Sequence, residues 1–207
     1  GDSYRLVIRQ DHKLVYQVDY RGYGLFLGEK FRNFNPTAGD VDLNGVPDLI
    51  ICQEQGTWRT ETHIVELGAR FRPILKFQSV FPPHFSRGRS GELLVTVRDS
   101  TFSGWLYCHA DSPYPMVVLR LVDGTLKLAP DCMTGEPNLD LGPVEQPRVV
   151  AALTNSMTRA LYTGHSALCL RALRASRLSP KQQADFLNDF KAKLRTSPWA
   201  SQLADQI

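Results

Sequence analysis

Asp40, Asp42, Asn44 and Asp48 stand at positions 1, 3, 5 and 9 of a short loop, DVDLNGVPD, which runs straight into the apolar Leu-Ile-Ile-Cys. Alternate residues in a tight loop can aim their side chains at one point. Carboxylate and amide oxygens gathered in this way suit a hard cation such as calcium, which takes six to eight oxygens in loose geometry. Asp40, Asp42 and Asn44 would each offer a side-chain oxygen and Val46 its carbonyl. Asp48 would close the far side, and water would complete the shell. Gly45 permits the positive φ that such a turn needs, and Pro47 stiffens the exit. Without a cation, carboxylates held this closely repel one another. The competing reading is an Asn-Gly turn carrying solvated acids. The loop is not an EF-hand. Its twelfth position is Ile51, where that motif places a bidentate Glu, and the residues after Asp48 have strand character.

The elements around the loop are short and alternating. Through residue 130 the chain reads as β-branched and aromatic runs such as YRLVIRQ, KLVYQVDY, THIVELG, RPILKFQSV, ELLVTVRD, SGWLYCHA, MVVLRLV and TLKLAP, separated by Gly, Pro, Asn and Asp. This is the pattern of antiparallel sheet. Asp123-Gly124 predicts a two-residue hairpin turn. The stretch PHFSRGRSGELLVTV faintly echoes the acidic loop. There Glu92 stands for Asp48, but His84, Ser86 and Gly88 stand where ligands would be. Residues 131–147 read as a turn-rich linker. Beyond it the period changes: Val149, Leu153, Met157 and Leu161 recur at steps of four, on one helix face. SALCLRALRAS reads as a second helix, with Ser166 as its cap. A third follows from Ser179, with Pro180 at its first position and Gln182 completing a capping box; Phe186, Phe190 and Leu194 form its buried face. The expected architecture is a mainly β part over 1–130, with antiparallel blade-like sheets that form an incomplete propeller. A linker and a helical cap over 148–207 follow.

At this point the loop resembles the FG-GAP/VCBS repeat family, the calcium-hairpin blades of integrin α-type propellers. The likeness covers residues 38–50, Ala-Gly-Asp-Val-Asp-Leu-Asn-Gly-Val-Pro-Asp-Leu-Ile. It implies that Asp40, Asp42, Asn44, Val46 and Asp48 are calcium ligands. Leu43 departs from the family, which often has Gly there, and only one copy is intact, so a whole propeller is not implied.

The remaining chemistry-bearing residues are dispersed. The five histidines form neither H-x-x-x-H nor H-E-x-x-H. GHSAL lacks the second glycine of a nucleophile elbow. None of the four cysteines is in a C-x-x-C pair, which argues against a zinc knuckle. Buried thiols or two disulfides remain open; the best candidate bridge is Cys108–Cys132, which flank a hairpin, and such a bridge implies an oxidising compartment. With 207 residues, 43% hydrophobic and 22% charged, the chain can bury a core. A net charge of +3 with scattered Lys and Arg leaves no nucleic-acid footprint, and no apolar run is long enough for a membrane span. Trp58, Arg59, Phe81, Phe85 and Tyr114 sit in expected loops as candidate contacts for another protein, or else as the edge of the core. The sequence thus points to a non-enzymatic, calcium-stabilised, protein-binding module. It would be periplasmic or secreted, its signal segment absent from this chain, and an immunity-type inhibitor of a secreted toxin is one version. The alternative is a hydrolase with a dispersed active site.

Overall fold

The structure, a computed structural model, describes residues 3–10, 12–21, 24–27, 39–55, 59–69, 71–106, 108–109, 112–133 and 148–203. Trp58, Pro147 and most of the expected linker lie outside them. The strands are β1 (Ser3–Gln10), β2 (Lys13–Arg21), β3 (Gly24–Leu27), β4 (Asp48–Glu54), β5 (Thr60–Glu66), β6 (Arg72–Arg87), β7 (Leu93–Arg98), β8 (Met116–Val122) and β9 (Thr125–Leu128). The helices are α1 (Arg148–Tyr162), α2 (Ser166–Ala175), α3 (Pro180–Leu194) and the short α4 (Ala200–Leu203). β1 and β2 pair as a separate hairpin. β3 to β9 lie side by side in chain order in one open sheet. The expectation of a mainly β protein with about three C-terminal helices therefore holds, and the described strands do not close into a propeller.

The described chain falls into two compact units, Gly1–Val97 with Leu119–Leu126, and Arg98–Val118 with Lys127–Ile207. Residues 98–118, expected in the β part, group with the helices.

In the first unit β4 is covered on both faces, which explains its unbroken apolar run. Leu49 and Ile51 pack with Val65 of β5 and Leu6 of β1, and Ile8, Tyr16, Leu67 and Phe71 lie against that cluster. Ile50 and Cys52 face the other way, with Ile50 opposite Ile64 and Cys52 opposite Thr62. Ile50, Ile51 and Ile64 have no exposed surface, and each contributes about 2 kcal/mol by leaving water. This double burial fixes the register, since a slip by one residue would put Asp48 where Leu49 is. β6 runs on through Pro82, Pro83 and Phe85, a stretch expected to be a loop. Its first half pairs with β5 over Arg72–Ser79. Phe81 then takes φ 65°, and this local bend lets a strand carry two prolines that cannot donate to a ladder. Phe85 is 1% exposed. It is therefore a core residue and not a partner contact, because the strand beyond the bend turns it inward. His84 and Ser86, aligned with ligands in the faint repeat, are strand residues here.

In the second unit Ser103 to Leu106 of SGWLYCHA, expected as a strand, are turn and bend. Those turns seat aromatic rings: Phe102 stacks on Phe190 with centroids 5.0 Å apart, and Trp105 lies 5.9 Å from Phe186. Burial of Leu153, Met157 and Leu161 follows the expected α1 face. The buried hydroxyls of Thr154 and Thr158 donate to the carbonyls of Val150 and Thr154 at 2.7 and 2.6 Å, which satisfies them within the helix. α2 begins at Ser166, so its cap position is His165, whose side chain makes no cap bond; Ser166 is not the cap. On α3 the capping box forms as expected between Ser179 and Gln182. Tyr162 is fully buried and its hydroxyl donates to Asp99. Burial and that carboxylate push its phenol well above the usual range. No helix of the described residues is long and apolar enough to cross a membrane.

Candidate metal centre

The acidic loop runs from Gly39 and enters the sheet at Asp48. The two ends are joined by an isolated bridge, Asp48 N–H donating to the Gly39 carbonyl at 2.8 Å. Leu43 and Gly45 take the left-handed conformation, with φ 63° and 87°. For Gly45 this conformation carries no Cβ strain; for Leu43 it costs roughly 1 kcal/mol. The two reversals fold the chain so that its acids converge. Asp40, Asp42 and Asp48 each offer a carboxylate oxygen, and these oxygens lie within 4.8 Å of one another.

Backbone donors hold Asp40 and Asp48. Asp40 accepts from Asn44 N–H at 3.0 Å and Gly45 N–H at 2.6 Å. Asp48 accepts from Val41 N–H through Oδ2 at 2.7 Å. From β6, Arg87 Nη2 donates to the Asp40 carbonyl at 2.5 Å and Nη1 to the Gly91 carbonyl at 2.8 Å. The other oxygen of Asp48, Oδ1, is buried with no hydrogen-bond partner, as is Oδ1 of Asp42. Asp48 has no exposed surface at all. Its carboxyl is pushed up to about 6, first by burial and then by the charges of Asp42, Asp40 and Glu66, against the Val41 hydrogen bond. Burial also raises Asp42, against a backbone hydrogen bond from Asn44, with Asp40 and Glu66 adding to the rise. A buried, unpartnered carboxylate oxygen costs about 1–3 kcal/mol or more. An all-oxygen donor set with two such atoms fits a hard divalent cation.

Of the expected ligands, the fold brings together Asp40, Asp42 and Asp48. Asn44 is in the same turn, but its Oδ1 accepts from Val46 N–H at 2.8 Å while Nδ2 points to Asp42 at 3.2 Å and Glu66 at 2.5 Å. Its amide would have to turn over to present oxygen to an ion. Val46 is half-buried in the loop. Two residues beside the acidic cluster escaped the sequence reading. Glu66 stands directly opposite Asp48 across β4–β5. Arg72 stands opposite Glu66 across β5–β6 and bonds it at 2.9 Å through Nη2. That hydrogen bond holds the Glu66 carboxyl below its usual range. Only strand pairing brings these two residues to the loop; the alternation of β5 and β6 was the available signal.

The other expected site residues are dispersed. The Cys108–Cys132 bridge is not formed, and neither is any other among the four cysteines. Cys132 lies in a tight turn, Pro130–Cys132, with its thiol near Asp131. Cys108 belongs to a loop that braces itself: Ser112 Oγ donates to the Cys108 carbonyl at 3.0 Å and accepts from Gly104 N–H at 2.8 Å. Arg59 is exposed and Phe81 half-buried. In the same loop Tyr114 OH lies 2.7 Å from Ser103 Oγ, which lies 2.8 Å from His109 Nδ1. Tyr114 OH also donates to the His109 carbonyl at 3.2 Å. These bonds tie the turn to itself, and their geometry is that of a loop brace. No family model, curated protein or solved structure matches the chain.

Proposed function

We propose that this protein is a non-enzymatic β-rich module, of the FG-GAP/VCBS calcium-hairpin kind in its loop, that binds calcium between Asp40 and Asp48. The ion has a structural role, and the module works by binding another protein in the periplasm or outside the cell. One observation carries the cation reading: Oδ1 of the fully buried Asp48 has no hydrogen-bond partner in a cluster of carboxylates. The left-handed Leu43 also supports the resemblance, since it adopts the conformation that glycine takes freely where the family has glycine. A bound calcium ion supplies the positive charge that those oxygens lack. The backbone donors of Asn44, Gly45 and Val41 hold the carboxylates in place for it.

Leu106 and Met116 support the partner-binding half. They are exposed large apolar side chains of the segment that carries Tyr114. Side chains of this kind lose exposed apolar surface when a partner covers them. Inhibition of a secreted toxin, as an immunity-type protein does, is one such role.

Thermal melting in excess calcium, in magnesium and in EDTA tests the cation reading. Calcium present at about a hundred times its dissociation constant should stabilise the fold by about 2.7 kcal/mol. The melting temperature should rise with calcium and fall with EDTA. Identical melting temperatures in calcium and EDTA sink the proposal.

A further inference from the structure

We propose that Arg72 is a tethered counter-cation of the acidic loop, competing with a divalent ion and so setting the affinity of the site. The inference rests on the cation-binding reading above.

The geometry is built by the sheet. Register places Glu66 opposite Asp48, and the next hairpin returns Arg72 to a position opposite Glu66. The three clustered carboxylates of Asp40, Asp42 and Asp48, with Glu66 joined to their turn through Asn44, thus lie at one end of β4 and β5. Arg72 faces them with its guanidinium, Nη2 lying 2.9 Å from Glu66 Oε2 and 3.8 Å from Asp42 Oδ2, and Nε lying 3.4 Å from Glu66 Oε1.

The fork is engaged at the rim and goes no further. Arg72 is 59% exposed, whereas Oδ1 of Asp42 and of the wholly buried Asp48 have no partner. A planar guanidinium on the strand edge leaves the interior oxygens unsatisfied; a compact divalent ion can sit among them. The two cations therefore draw on the same negative charge without occupying the same point. An ion between Asp42 and Asp48 weakens the hold of Asp42 on Arg72 and repels the guanidinium. Because such coupling is reciprocal, Arg72 must weaken the ion. Its long exposed side chain can swing into water with little loss of buried surface.

Calcium titration calorimetry on the full chain tests this, with Arg72→Gln, Arg72→Lys and Arg5→Gln compared with wild type. Arg5 pairs with Asp19 at 2.6 Å on the β1–β2 hairpin, and its substitution controls for net charge. One unit charge about 8 Å from a divalent ion in a watery setting changes its affinity about fivefold. Arg72→Gln should bind calcium about fivefold more tightly, while Arg72→Lys and Arg5→Gln stay near wild type. Wild-type binding with no gain in Arg72→Gln, or an equal gain in Arg5→Gln, overturns the role of Arg72 and leaves the calcium site standing. No calcium binding by the wild type overturns both. Circular dichroism melts of each variant in EDTA check that the β5–β6 hairpin still folds; a gain from Arg72→Gln that Arg72→Lys shares would mark a packing effect and would also overturn the inference.

Discussion

Asp48 and Val41 are joined across the acidic turn by a 2.7 Å hydrogen bond, which occupies one carboxylate oxygen of Asp48 and leaves the other buried without a partner. The bond accounts for the side chain's placement, since it closes the loop onto the first residue of β4. It does not account for the charge. An asparagine could accept the same bond through its own Oδ1.

Asp48→Asn should therefore separate structure from ion binding. The metal-free protein should be more stable than wild type by about 1–2 kcal/mol, because the unpaired buried charge is gone. Its response to calcium should disappear. Paired urea titrations in EDTA and in calcium read both effects. A variant that still gains stability from calcium would place the ion elsewhere.

Asp40 has a different role, because both of its oxygens cap backbone N–H groups of the turn. Asp40→Ala should destabilise even the metal-free protein, by about 1–2 kcal/mol. Asp40→Ala combined with Asp42→Ala should abolish the calcium response. Equal stability of wild type and Asp40→Ala in EDTA would show that the turn does not need its cap.

Glu61 makes a pH-dependent contribution away from the loop. Burial opposes its ionisation, but Lys76 at 3.0 Å, His63 at 2.7 Å and Gln78 at 3.3 Å hold its carboxyl below the usual 4.5. A depressed folded-state pKa gives stability that is fully present above the unfolded value and is lost as pH falls through the folded one. Glu61→Gln should flatten the acid limb of a stability–pH curve below about pH 4.5, where wild type declines. Parallel curves for the two proteins through that range would remove Glu61 from the account.

The cysteines differ in environment. Burial pushes the Cys52 thiol up to about 11 and the Cys169 thiol up to about 12, while Cys108 is exposed. A thiol reagent at neutral pH should label Cys108 in the native protein and reach Cys52 and Cys169 only after unfolding. Unfolded, unreduced protein should take up the reagent at all four positions; mass spectrometry showing a protected pair would re-establish the Cys108–Cys132 bridge.

Much of the local structure was legible in the chain. The left-handed Asp123 and Gly124 make the expected hairpin turn, the Ser179 capping box forms, and Leu153, Met157 and Leu161 are buried together. Each depends on contacts within a few residues, so spacing and residue type suffice to predict it. The convergence of Asp40, Asp42 and Asp48 belongs to the same class, since one turn contains all three.

Phe85, Glu66 and Arg72 belong to another class. Nothing in FPPHF distinguishes a loop from a bent strand. The φ of Phe81 and the neighbouring strands decide it, and with it the burial of Phe85. Glu66 and Arg72 are ordinary surface types until the β4–β5 and β5–β6 registers set them in line with Asp48. Those registers follow from the burial of Ile50, Ile51 and Ile64, a property of the whole packed sheet. The sequence alone determined which oxygens could gather; packing decided that they are buried, unpartnered and faced by an arginine, because desolvation and distant charge exist only once strands far apart in the chain lie side by side.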